Sequence, residues 1–133
     1  MKNKADNKSK DEISNISTIV KGSAFSAVIT LILLFIYSCI LAYTNVSDTT
    51  IPVVVIILTI VSILIGSSMA TNKIKNKGLI NGAFVGGIYI SLIYVLSSFL
   101  DTGFSFNLYS IIMIIAGILA GSIGGIMGVN IRR

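Results

Sequence analysis

Residues 108–129 read LYSIIMIIAGILAGSIGGIMGV, an unbroken run without one Asp, Glu, Lys, Arg or His. As a helix rising 1.5 Å per residue, a run of this kind covers roughly 30 Å, the thickness of a bilayer's hydrocarbon core. A helix in water needs a polar face, and this one has none. The run is therefore read as a membrane span, and its glycines make it a weak one that depends on its neighbours.

Three similar runs lie upstream, at 79–100, 51–70 and 24–43. Pro52 falls in the first turn of its run, where a missing N–H costs little. The connections, 44–50, 71–78 and 101–107, are short enough to join only adjacent antiparallel helices. The expected fold is all-α: a polytopic membrane protein with four transmembrane helices in an antiparallel bundle of two hairpins, filling 22–131. The composition agrees, with 54% hydrophobic residues, 11% charged and a mean hydropathy of +0.94, far from the balance of soluble domains. The excess of Lys, Asn and Ile points to a low-GC bacterial coding sequence.

Residues 1–21 differ. Residues 1–10 are polar and Lys-rich, too poor in apolar groups to offset the entropy of ordering, and read as a disordered tail. Ser9 and Glu12 have capping-box spacing, so a helix is expected to start there. Ile13, Ile16, Ile19 and Val20 then give 11–21 the stripe of a short interfacial helix.

Charge orients the spans. All ten basic residues precede the first span (Lys2, Lys4, Lys8, Lys10, Lys21), fill the second connection (Lys73, Lys75, Lys77) or end the chain (Arg132, Arg133). The opposite side holds only Asp48 and Asp101. The positive-inside rule then places both termini in the cytoplasm of a cell membrane. Tyr43, Phe104, Phe106 and Tyr109 supply an aromatic belt on the far side. The lysines predict attraction to anionic lipid headgroups at the cytoplasmic face. No aromatic platform or recognition helix accompanies them, so nucleic acid is not an expected partner.

Glycine carries the clearest pattern. Gly82 and Gly86 are spaced G-x-x-x-G; Gly117, Gly121 and Gly125 continue that period on the fourth span, beside a second small stripe of Ala116, Ala120, Gly124 and Gly128. Ser62, Gly66 and Ala70 offer a matching stripe on the second span. Small residues let helix backbones approach in lipid, where burial of apolar side chains drives little. These glycines are the expected helix-packing residues, either within the bundle or along a homo-oligomer seam or a contact with a larger membrane protein. Tyr89, near the middle of the third span, is expected to be buried, with its hydroxyl bonded to a neighbouring span; Thr59 and Ser62 are candidates by depth. Asn81 and Asn130 read as end caps or headgroup contacts.

A faint internal repeat aligns residues 65–72 with 123–130, and Lys21-Gly22 with Lys77-Gly78. Duplicated hairpins would be related by a pseudo-two-fold axis along the membrane normal.

The residues needed for chemistry are missing from the spans. Proton-coupled export wants a membrane carboxylate, zinc or iron sites want clustered His, Cys or carboxylates, and serine catalysis wants a base. No catalytic, cofactor or metal site is expected, and the protein reads as a non-enzyme. Cys39 sits within an apolar run. A lipobox reading of Ile36-Tyr37-Ser38-Cys39 fails on the bulk of Tyr37 and on the length of the run.

The sequence from Lys77-Gly78 through Gly82, Gly86, Gly87 and Tyr89, with the ending Gly121-Ser122-Ile123-Gly124-Gly125-Ile126-Met127-Gly128-Val129-Asn130, resembles a family of small four-span membrane proteins of unknown function from Gram-positive, mostly spore-forming bacteria. The likeness covers about residues 20–131. It implies the four-helix bundle and brings no activity, substrate or catalytic residue. Two functions follow from the residues: an accessory or scaffold component of the cell envelope acting through helix contacts, or a small channel, holin-like pore or transporter lined by the glycine-rich fourth span.

Overall fold

The computed structural model describes residues 2–74, 77–100 and 107–131. Lys75, Asp101, Phe104, Phe106, Arg132 and Arg133, used above for orientation and the aromatic belt, lie outside them. The described residues form four α-helices, α1 (Lys2–Tyr43), α2 (Ile51–Asn72), α3 (Gly78–Leu100) and α4 (Leu108–Ile131), with a 3₁₀ turn at Asp48–Thr50 before α2. All four contain stretches long and apolar enough to cross a membrane. The protein is a multi-pass, all-α membrane protein.

Its first helix differs from the sequence reading. Instead of a disordered tail, a short helix and a separate span, α1 runs without a break through 42 residues, about 63 Å at 1.5 Å per residue. The Ser9 hydroxyl donates to the Asp6 carbonyl at 3.0 Å, an internal turn contact rather than a cap. No helix break marks the boundary at residues 21–22. Gly22 is buried in the helix, and the Ser26 hydroxyl donates to its carbonyl. Residues 3–14 are exposed on the projecting part of α1.

The hairpins lie side by side. α1 packs antiparallel on α2, and α3 antiparallel on α4. The hairpins meet where α2 runs parallel to α4 and α1 parallel to α3, while α1 and α4 make no close approach among the described residues. Gly124 meets Ser67 and Gly128 meets Thr71, so α2 and α4 touch at positions that the faint repeat pairs to within one residue.

Packing is confined to one half of the bundle. Every described buried residue falls within 19–30, 59–74, 78–90 or 117–128, the half that carries Lys21, Lys73 and Lys77. Every described glycine lies there too. In the far half the spans are built mainly of Ile, Leu, Val and Phe, whose bulk keeps backbones apart, and in lipid burial of apolar side chains draws helices together only weakly. Phe35 is 72% exposed, Phe99 87% and Leu108 75%.

Candidate functional site

The packed half is a seam of glycines and hydroxyls. On the α3–α4 side the glycines interleave. Gly78 faces Gly125, Gly82 faces Gly121 and Gly125, and Gly86 faces Gly117 and Gly121. A Cβ placed on Gly82 would stand 2.6 Å from the Gly125 Cα, and one on Gly125 2.7 Å from the Gly82 Cα. No real side chain tolerates such distances, so the two backbones are in direct contact. Gly117 also receives the side chain of Ile90.

α4 uses its second stripe on a different neighbour. A Cβ on Gly124 would lie 2.6 Å from the Leu64 carbonyl oxygen, and one on Gly128 2.8 Å from the carbonyl carbon of Ser68, so this stripe seats on α2. The Ser62, Gly66 and Ala70 stripe of α2, read from sequence as its match, turns the other way. Gly66 packs on Ser26 and Gly22 of α1, and Gly22 on Ala70. Gly22, absent from the expected packing set, belongs to this seam. Gly87 does not: no atom lies within 4 Å of a Cβ placed there.

Hydroxyls occupy the remaining close contacts. Ser23, Ser26, Thr30, Thr59, Ser62, Ser67 and Thr71 are all buried. Most return their proton to their own helix: Ser23 to the Val20 carbonyl at 2.8 Å, Ser62 to Leu58 at 2.8 Å and Thr71 to Ser67 at 2.7 Å. A donor that bonds back in this way is satisfied in lipid while its small side chain still permits close packing.

Tyr89 ties three helices together. Its side chain is 1% exposed, and its hydroxyl lies 2.7 Å from Thr30 Oγ1. The Thr30 proton is committed to the Ser26 carbonyl at 2.9 Å, so Tyr89 is the donor and Thr30 the acceptor. Thr59 of α2 stands beside the same phenol. The partner is thus a threonine of a neighbouring span, as expected, but neither of the two candidates named by depth: it comes from α1, while Thr59 is a neighbour and Ser62 bonds back to the Leu58 carbonyl.

Residues 15–128 match the family model described as "Protein of unknown function (DUF3792)". The chain belongs to this family. No curated protein and no solved structure matches it. The matched segment takes in all four spans and leaves out the exposed start of α1, so the DUF3792 unit coincides with the packed seam and its hairpins. Within it, both glycine faces of α4 are closed by backbone contacts with α3 and α2. Cavities among the described residues include an apolar groove of about 780 Å³ along α3 and α4 at Gly87, a shallower one of about 540 Å³ farther along α3, and a cleft of about 970 Å³ at the lysine-bearing end between α1 and α3.

Proposed function

We propose that this protein is a non-enzymatic component of the bacterial cell membrane that works by binding another membrane protein through its unpacked half. The basic end faces the cytoplasm in this reading, as the positive-inside rule requires of Lys21, Lys73 and Lys77. The observation that carries the reading is the one-sided distribution of buried residues. Glycines hold one half of the bundle shut, while the other half of each span presents large apolar side chains.

The pore reading is less favoured, because the α4 glycine face that would line a path is filled by α3 and α2.

A photoreactive residue in place of Phe35, irradiated in native membranes, is expected to give a discrete protein adduct, with the same residue in place of Ile13 as a control that gives none. Adducts with lipid alone at position 35 would defeat the proposal, and reproducible solute flux through proteoliposomes of the pure chain would replace it with the pore. Orientation is checked separately. In a Cys39→Ser background, a Lys77→Cys thiol should be labelled only after permeabilisation of cells, and a Thr49→Cys thiol before it.

A further inference from the structure

The cleft at the lysine-bearing end has walls of opposite charge. Asp11 and Glu12 line it from α1, and Lys73 and Lys77 line it from either end of the α2–α3 connection. Lys77 is held there by a left-handed backbone, φ 61°, uncommon outside glycine. The rest of the lining is mainly apolar, Ile16, Ile19, Ile74, Ile80, Phe84 and Ile88, with Ser14, Asn15 and Asn81 among it. The cleft therefore has a dipolar rim over a greasy base, which is the shape of an amphiphile's site rather than of a cytosolic solute's.

Depth narrows the occupant further. Lys77 directly precedes α3, so the cations stand at the end of a span. Ile80 to Ile88 covers about 12 Å of helix. The 540 Å³ groove shares Ile88 and continues along α3 to Phe99. The apolar surface that starts at Ile80 is therefore deeper than the roughly 15 Å an acyl chain needs to cross one leaflet.

We propose that this cleft holds one phospholipid whose headgroup is a phosphate carrying a primary ammonium group. The phosphate sits between Lys73 and Lys77, the ammonium on Asp11 and Glu12, and an acyl chain over Ile80, Phe84 and Ile88. The carboxylates select against headgroups that are only anionic, which they repel. They also favour a primary over a quaternary ammonium: three N–H donors match carboxylate acceptors, whereas a quaternary group is recognised by surrounding aromatic faces. Phe84 is the one aromatic residue lining the cleft, and it belongs to the floor.

The test uses the full chain in mild detergent, exposed to equal amounts of phospholipids with identical acyl chains and ethanolamine, glycerol or choline headgroups. Retained lipid is counted by native mass spectrometry. One lipid per chain is expected, with the ethanolamine form preferred over the glycerol form roughly fivefold, the scale of two partly exposed ion pairs. The double variant Asp11→Asn, Glu12→Gln should still retain a phospholipid but lose the preference. Lys73→Gln with Lys77→Gln should lower retention of all three headgroups. All four positions are charged groups at the rim, and helical circular dichroism verifies the fold of each variant. Equal or better retention of the glycerol or choline form by the unchanged chain, or indifference of retention to both double variants, would overturn the assignment.

Discussion

Gly121→Leu is expected to destabilise the bundle by about 3 kcal/mol or more, at the upper end of overpacking costs, because the obstacle is backbone rather than a side chain that can rotate away. A Cβ at this position would press on the Gly82 carbonyl oxygen and stand 3.0 Å from both the Cα and the amide nitrogen of Gly86. Leucine adds three carbons beyond that atom. Relief requires α3 and α4 to separate, and separation also breaks the neighbouring Gly78–Gly125 and Gly86–Gly117 contacts. Gly87→Leu is the matched control. It too replaces a glycine near the middle of a span, but into open space, and removing a glycine from a helix interior should stabilise by up to about 1 kcal/mol. Unfolding of the purified protein by a denaturing detergent, followed by circular dichroism, measures the difference. Equal losses at the two positions would show that glycine contact does not hold α3 on α4.

That contrast also marks how far the sequence could be read. Gly82, Gly86 and Gly87 look alike on paper, and only the spacing of the first two hints that they share a face. The four spans were legible because their lengths and lack of charge leave one physical solution. Which backbone each small residue meets was not. A small stripe states that a helix can be approached closely and says nothing about which helix approaches. The Ser62, Gly66 and Ala70 stripe accordingly fits α1 or α4 equally well by size, and it takes α1. The two stripes of α4 read as one broad face, and the structure divides them between α3 and α2.

Other features had a signal that local reasoning did not use. Ser23, Ser26 and Thr30 recur at helical spacing around the start of the first apolar run, which places them on one face and could have identified α1 as the source of the Tyr89 acceptor. The confinement of packing to one half is foreshadowed by the absence of glycine from residues 23–65 and 88–102. The continuous α1 was harder to foresee. A polar segment such as residues 2–10 has little to gain from burial, yet once a span supplies the nucleus each further residue joins a helix at small cost, and Gly22 acts as a packing surface instead of a break.

Tyr89→Ala is expected to cost about 2–2.5 kcal/mol, the product of a cavity on the order of 100 Å³ and about 24 cal/mol per Å³. The transfer contribution familiar from water-soluble cores is largely missing here, because lipid and bundle interior are similarly apolar. The polar part can be isolated. Tyr89→Phe keeps the ring and removes the bond to Thr30, and Thr30→Val removes the acceptor while keeping the shape. Each should cost about 0.5–1.5 kcal/mol, the range of interhelical hydrogen bonds in membrane proteins. The double variant should cost less than the sum of the two, by the worth of the bond they share. Strict additivity would mean that the Tyr89–Thr30 bond contributes nothing to stability. A residual cost of Tyr89→Phe in the Thr30→Val background would belong to the hydroxyl's other neighbours, and its loss in a Thr59→Val background would assign it to Thr59 of α2.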